Sequence, residues 1–503
     1  LLMEASLDAI QRQVLVGIQD MGAAGISCAT SEMSARGNTG MEIDLDKVPL
    51  RETGMNAYEI MLSESQERML VVAEKGKEED LTKIFEHYGL LCVEIGVVTA
   101  DGILRVKKGG ITKAEIPALS LVLGGGAPRY KRETRRPEYL DNVAQWSDSE
   151  FQPPLASELH KELLQLLGTW NICHRKPIIE QYDTEVGLVK VIPPGGDGGV
   201  VRIPDTNKGI AVTTDCNSRY TFLDPYLGTS AAVCEAARNI AVTGATPYGV
   251  TNNLNFGNPY IPENYYIFSE CIRGMSDACK ALGLPVTGGN VSFYNESSDG
   301  PILPTPTIGM VGLIDDIRKA KGIIPRNTDR AYELLLFGDF QPSWGGSEYL
   351  AFKSGKDIGK IPFSGIEMEK RGIDCLLSLH REGWIESAKD LSLGGLLTAL
   401  AKLALHGNIL LQVNLESLSH RGDLMKICFG ETSTSFLVSV ERENLSKVSP
   451  IIKSYQLDTF LIGTIQPGEG LKLKFKDQNW SWTKEELQIN YESALEKIFS
   501  ISI

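Results

Sequence analysis

The sequence predicts an α+β fold built of mixed sheets with packed helices, in which one kind of domain occurs twice. Helix-like and strand-like patterns alternate without the short, regular spacing of βαβ units. Two distant stretches repeat one order of motifs, and the region between them follows another order.

The repeat is the strongest signal. The first copy opens Gln19-Asp20-Met21-Gly22-Ala23-Ala24-Gly25 and runs on as a helical pattern to Met33. The second opens Lys389-Asp390-Leu391-Ser392-Leu393-Gly394-Gly395, with a helical pattern to Leu405. Each copy then places a polar cluster before an apolar strand. These are Ser63-Glu64-Ser65-Gln66 before Met69–Val72, and Gly430-Glu431-Thr432-Ser433 before Phe436–Val440. Asp20 and Glu64 are 44 residues apart, and Asp390 and Glu431 are 41 apart. Both glutamates stand 32 residues before the glycine of an Ile-Gly pair, Ile95-Gly96 and Ile462-Gly463. Order and spacing together indicate a duplication. Each copy also carries a later helix, Glu78–Tyr88 and Leu445–Tyr455, before its final strand.

Between the copies, the Pro- and Gly-rich stretch 116–154 reads as a linker. A helix (155–167), strands (199–203 and 209–214), an alanine-rich helix (231–243), a second helix (264–282) and a strand (308–314) follow. At the other end, Leu1–Ile10 has the pattern of the middle of an amphipathic helix, with no initiator methionine and no cap. The chain is therefore expected to begin inside a domain.

Composition narrows the function classes. The 503 residues carry a net charge of −14, against the basic footprint that nucleic acid requires. Small phosphorylated ligands stay open, since backbone amides and magnesium can hold them. The basic run Arg129–Arg136 reads as a solvated linker. Nine cysteines, an odd number without a Cys-x-x-Cys pair, indicate a reduced, cytoplasmic protein with neither a disulfide nor a zinc framework. No apolar run reaches membrane-spanning length, no signal peptide opens the chain, and the six histidines have no metal spacing. P-loop, Rossmann and kinase signatures are absent.

Five stretches offer chemistry, each with a plainer reading beside it. Thr287-Gly288-Gly289-Asn290-Val291-Ser292 reads as a strand end turning through two glycines. It either brings backbone amides close to a phosphate, with Asn290 offering an oxygen to magnesium, or is an ordinary turn. Thr251–Pro259, with four asparagines, reads as a loop that lines a polar site or simply as a surface turn. Asp215 and Arg219 suit magnesium and phosphate, or pair with each other in a turn. Asp20 stands ahead of a helix start, where a cation could join its carboxylate to an anion, or where it merely caps. Glu64-Ser65-Gln66 offers an acceptor, a hydroxyl and an amide in a row, suited to a polyhydroxylated or amide substrate or to an exposed turn.

Taken together, these segments resemble the small-type phosphoribosylformylglycinamidine synthase family. The match rests on Gln19–Gly25, Leu62–Met69, Thr214–Arg219, Leu254–Pro259, Thr287–Asn295 and Gly345–Leu350, and it extends over essentially the whole chain. The resemblance implies tandem aminoimidazole-ribonucleotide-synthetase-like domains in an A–B repeat. Residues 1–115 would be a first B domain with its start truncated, 116–154 a linker, 155–325 a second, nucleotide-binding A domain, and 330–503 a second B domain.

It further implies a ligase of de novo purine biosynthesis. ATP phosphorylates the amide oxygen of formylglycinamide ribonucleotide, and ammonia from a glutaminase subunit displaces phosphate to give the amidine; a small third subunit bridges the complex. Carried over by motif, Asp20 and Asn290 are expected to hold magnesium. Glu64, Ser65, Gln66 and Ser292 are expected to contact substrate, and Asn252 and Gly289 the nucleotide. ATP and Mg2+ are the expected cofactors, with a structural ADP in the second A domain. Asn252 stands where the family often has aspartate, and no acid follows Ser392. The family's first A domain, bearing its catalytic histidines and ATP lysine, has no counterpart here, so no catalytic residue is expected within the chain and the chain alone is expected to be inactive. A truncated, non-catalytic nucleotide-binding scaffold and another synthetase of the same superfamily are the alternative readings.

Overall fold

The computed structural model describes residues 1–122, 125, 126 and 130–501. Two units, Leu1–Lys131 and Arg132–Ile503, fold about separate cores.

The first unit runs α1 (Leu2–Gln11), β1 (Leu15–Asp20), α2 (Gly25–Gly37), β2 (Gly40–Asp44), α3 (Ala57–Leu62), β3 (Met69–Ala73), α4 (Glu78–His87), β4 (Gly96–Thr99), β5 (Ile103–Lys108) and β6 (Ile111–Pro117). β1 and β3 pair antiparallel, and a mixed sheet has the order β4-β2-β5-β6. α1 and α4 bury Ala5, Ala9, Leu81, Ile84 and Phe85 against one another. A second cluster joins Ile26 of α2 to Met41, Ile43, Ile60 and Leu104. α3 starts where a capping box places it: Asn56 Oδ1 accepts the Glu59 amide, and Glu59 reaches back to the Asn56 amide.

The second unit begins with α5 (Tyr139–Gln145), α6 (Leu159–Leu167) and α7 (Lys176–Ile179). A six-stranded sheet follows, built from β7 (Lys190–Ile192), β8 (Gly199–Arg202), β9 (Gly209–Asp215), β10 (Thr246–Asn255), β11 (Val286–Ser292) and β14 (Thr305–Ile314). Its order is β11-β10-β14-β9-β8-β7. Between these strands come α8 (Ser218–Leu223), α9 (Pro225–Val242), α10 (Pro262–Leu282) and a hairpin of β12 (Glu296–Ser297) and β13 (Gly300–Pro301). α9 has Asp224 as its cap, Pro225 in its first turn and an almost continuously buried surface. Its alanines let it lie between the six-stranded sheet and later helices in one core.

The remainder is β15 (Tyr332–Gly338), α11 (Glu348–Ser354), α12 (Ile366–Glu382), β16 (Ser387–Asp390), α13 (Gly395–Leu405), β17 (Ile409–Asn414), α14 (Leu424–Phe429), β18 (Ser435–Val440), α15 (Leu445–Ser454), β19 (Asp458–Pro467), β20 (Gly470–Phe475), β21 (Gln478–Trp482) and α16 (Lys484–Ile501). The seven strands form one sheet, β16-β18-β15-β19-β17-β20-β21.

The duplication is visible strand by strand. β1-β3 corresponds to β16-β18, and β4-β2-β5-β6 to β19-β17-β20-β21, with the same parallel pair (β2–β5, β17–β20) in each. In the second copy β15 stands between β18 and β19 and makes one continuous sheet. Among the described residues of the first unit no strand has that place, and its sheet is in two parts. Unusual backbone recurs too. Glu67 and Thr434 both have positive φ (59° and 47°), three residues after Glu64 and Glu431. A Cβ on Gly96 would lie 2.1 Å from the Glu42 carbonyl oxygen, and one on Gly463 2.1 Å from that of Gln412.

Two expectations change. The asparagine stretch is not all loop: residues 251–255 belong to β10, paired on both sides by β11 and β14. Gly288 and Gly289 likewise lie inside β11 rather than in a turn. Ladder hydrogen bonds and burial of Val250 and Leu254 override the weak strand preference of Asn and Gly. Within the stretch expected as a linker, β6 runs on to Pro117 and α5 forms near its far end. Of the basic run, Arg129 lies outside the described residues, while Arg135 pairs with Glu263 and Arg136 with Asp141. All nine cysteines are free. Among the described residues no helix is long and apolar enough to cross a membrane.

Candidate functional site

In the first unit, β1 ends at Asp20, and a tight turn leads to α2. Ala24 at the helix start is left-handed (φ 64°), and so is Gly25 (φ 53°). A Cβ on Gly25 would lie 2.2 Å from the Ser63 carbonyl oxygen, so only glycine lets the loop 63–68 close over the helix start. Glu64 Oε1 accepts the Ala24 amide at 3.1 Å, and Met21 donates its amide to the Arg68 carbonyl at 3.1 Å. Asp20 and the tripeptide Glu64, Ser65, Gln66 are thus held around one helix N-terminus, and all four are exposed. Asp20 Oδ1 accepts from Gln19 Nε2 at 3.1 Å. The arrangement presents carboxylates, a hydroxyl, an amide and a helix dipole's positive end to one place, which suits a polar, anionic ligand.

In the second unit, β10 and β11 bring four more expected residues together. Asn252 stands opposite Gly289, Asn253 opposite Asn290, and Asn255 opposite Ser292. A Cβ on Gly289 (φ 154°) would lie 2.2 Å from Asn252 Oδ1, so the asparagine side chain rests directly on the glycine backbone. Asn290 Nδ2 donates to Asn253 Oδ1 at 3.2 Å. Residues 286–291 are exposed along this edge strand. Asp215 and Arg219 do not pair. Arg219 bridges Glu348 (2.7 Å) and Asp357 (2.5 Å), while Asp215 is held at 3.5 Å by the Asn239 amide. Burial pushes the Asp215 carboxyl well up, and the neighbouring Glu235 adds to the shift.

The second copy repeats the first copy's loops in a closed form. Gly394 (φ 81°) starts α13, and Glu431 Oε1 accepts the Gly394 amide at 2.7 Å and the Glu348 amide at 2.9 Å. Tyr220 donates its hydroxyl to the same carboxylate. Burial pushes the Glu431 carboxyl up to about 7, against these three donors. Arg238 grips Asp390 with two nitrogens, at 2.6 and 3.2 Å, and Glu369 with a third at 2.6 Å. What remains is a cavity of about 20 Å³, lined by Ser392, Thr432, Ser433, Tyr220, Arg238 and Glu369 among others. That is room for one water, and a nucleotide does not fit it.

Residues 195–314 match the AIR synthase related protein N-terminal domain, and residues 1–109 and 333–476 match its C-terminal domain. The phosphoribosylformylglycinamidine synthase subunit PurL of Leptospira biflexa is 59% identical over 500 residues, covering 99% of this chain and 67% of the relative. The chain belongs to the PurL family. A Thermoanaerobacter PurL is 44% identical over 93% of this chain and 62% of its own length. The solved T. maritima PurL complexed with ADP superposes with a TM-score of 0.64 at 27% identity, over 92% of this chain and 66% of that one. The same protein has been solved with FGAR and as PurLQS. The chain thus spans about two thirds of the length of these PurL relatives. Its domains are the tandem type expected from the sequence, with mixed sheets and packed helices.

Sequence reasoning missed Arg238, Glu235 and Glu369 as parts of a site. Arg238 sits in an alanine-rich helix whose pattern reads as plain core. Its partners Asp390 and Glu369 lie 152 and 131 residues away, so only the fold reveals the cluster.

Proposed function

We propose that this chain is the substrate-tripeptide and second-nucleotide portion of a PurL synthetase. The reaction is ATP-dependent conversion of formylglycinamide ribonucleotide to the amidine with glutamine-derived ammonia. The observation that carries the reading is the open first-copy loop pair, where Asp20 and Glu64, Ser65, Gln66 surround the start of α2. The FGAR and ADP complexes of T. maritima PurL support the ligand classes.

Within the first unit, Glu64 is oriented by the Ala24 amide, and Ser65 and Gln66 extend from the same loop toward solvent. They supply hydrogen bonds that position a ribonucleotide, while the amides at the helix start favour its anionic part. In the second unit, Asn252, Gly289, Asn290 and Ser292 give the nucleotide a strand edge on which backbone can approach closely. Magnesium fits the donors present. Asp20 Oδ2 accepts no hydrogen bond among the described residues, and Asn290 offers a neutral oxygen. No group of three His, Cys, Asp or Glu side chains is set to hold a metal among the described residues, which suits an ion held mainly by phosphates and water. Once bound, the ion neutralises phosphate charge.

The expected structural ADP belongs, on this reading, to the exposed β10–β11 edge, since the second-copy cavity is closed. PurQ- and PurS-type partners follow from the PurLQS assembly, the glutaminase delivering ammonia. Equilibrium dialysis with radiolabelled formylglycinamide ribonucleotide and with MgATP tests the proposal. Saturable retention of both ligands is expected; folded protein that retains neither contradicts it.

A further inference from the structure

We propose that Arg68 is a positioning residue for ribonucleotide binding, closing the neck of the loop that carries Glu64, Ser65 and Gln66 and fixing that loop against Asp20. This rests on the ribonucleotide reading of the loop given above.

Arg68 holds the loop at both ends. Its backbone carbonyl accepts the Met21 amide at 3.1 Å, directly after Asp20. Its Nη2 donates to the carbonyl of Ser63, directly before Glu64. That carbonyl packs on the start of α2, where a Cβ on Gly25 would lie 2.2 Å from it. Glu67, left-handed at φ 59°, turns the chain just before Arg68. The tripeptide is thereby closed between Ser63 and Arg68, with Glu64 seated on the Ala24 amide at 3.1 Å.

The second copy builds the same turn without an arginine. Four residues after Glu431 stands Ser435, as Arg68 stands four after Glu64. The Ser435 carbonyl accepts the Leu391 amide at 3.0 Å, the counterpart of the Arg68–Met21 bond. Its hydroxyl donates to the Ser433 carbonyl at 3.1 Å, within the loop and not across its neck. Serine therefore suffices for the turn, and the fold asks for no guanidinium there. The guanidinium also carries a local cost. Arg68 is half-buried, and its Nε is enclosed without a hydrogen-bond partner among the described residues. An enclosed, unpaired N–H on a cation lowers stability. Such a cost, at a position where a small residue serves the duplicate, points to function, and what this arginine orders is the tripeptide. A loop already ordered loses less conformational freedom when a ligand settles on it, so affinity rises.

Titration calorimetry of formylglycinamide ribonucleotide on the whole chain tests this. The variants are Arg68→Ser, Arg68→Lys and Arg68→Ser/Glu64→Ala, beside wild type and Glu64→Ala, each also melted. Arg68→Ser installs the residue of the second copy. It is expected to melt within about 3 °C of wild type and to bind at least about 10-fold more weakly. Arg68→Lys keeps a donor for a single, non-bidentate bond to the Ser63 carbonyl, and is expected to bind within about 3-fold of wild type. Because Arg68 acts through the loop, Arg68→Ser/Glu64→Ala is expected to bind at most about 3-fold more weakly than Glu64→Ala alone. Unchanged affinity in Arg68→Ser, losses that multiply in the double variant, or a lysine variant as weak as the serine variant overturns the proposal. So does Arg68→Ser protein that fails to fold, since the arginine would then hold the fold and not the loop. Wild type that binds no ribonucleotide overturns the ribonucleotide reading itself, and this proposal with it.

Discussion

Glu431 Oε1 lies 2.7 Å from the Gly394 amide nitrogen, the counterpart of the 3.1 Å contact between Glu64 and Ala24. One contact thus serves two ends. Around Glu431 it is sealed by Tyr220 and Glu348; around Glu64 it is open to solvent.

Removing the sealed carboxylate is expected to damage the fold. Glu431→Ala orphans two buried amides and a buried hydroxyl, at a cost of about 3 kcal/mol or more. Glu64→Ala, at an exposed turn, is expected to cost less than about 1 kcal/mol. Urea unfolding of the two variants checks the contrast; equal losses would contradict it.

The matched glycines give a second comparison. Gly463→Ala places a methyl 2.1 Å from the Gln412 carbonyl oxygen, and Gly96→Ala does the same against Glu42. Each is expected to destabilise its own sheet by about 3 kcal/mol through forced backbone shift. Hydrogen exchange should localise the loss to β17–β19 in one variant and β2–β4 in the other.

Stability should also depend on His380. Burial, with Lys321 nearby, lowers its pKa to about 3. The unfolded chain therefore binds a proton near pH 6.5 that the fold refuses. The contribution is complete above that pH and is lost progressively as pH falls toward 3. Relative to wild type, His380→Leu should gain about 2 kcal/mol between pH 8 and pH 5 in urea unfolding. An unchanged difference would show that His380 takes up its proton equally in the folded and unfolded chain.

Much of this was legible in the sequence. The Asp20–Glu64 and Asp390–Glu431 spacings are covalent facts, and the fold keeps them. The extended state of Asn252–Asn255 was not legible, because strand partners at Gly289–Ser292 and Thr305–Ile308 decide it, not local preference. Nor was the closure of the second copy. Asp20 and Asp390 look alike in sequence, yet Asp390 is buried, where Arg238 of α9 pairs with its carboxylate and Asp197 accepts its amide.

Central to the proposed function is that the ribonucleotide is held at the Glu64 loop and not at the buried Glu431 loop. Titration calorimetry with formylglycinamide ribonucleotide tests it directly, on wild type, Glu64→Ala and Thr432→Ala. One equivalent is expected to bind per chain, with affinity reduced at least about 10-fold by Glu64→Ala and unchanged by Thr432→Ala. Two equivalents per chain, or binding that depends on Thr432 and not on Glu64, would contradict it.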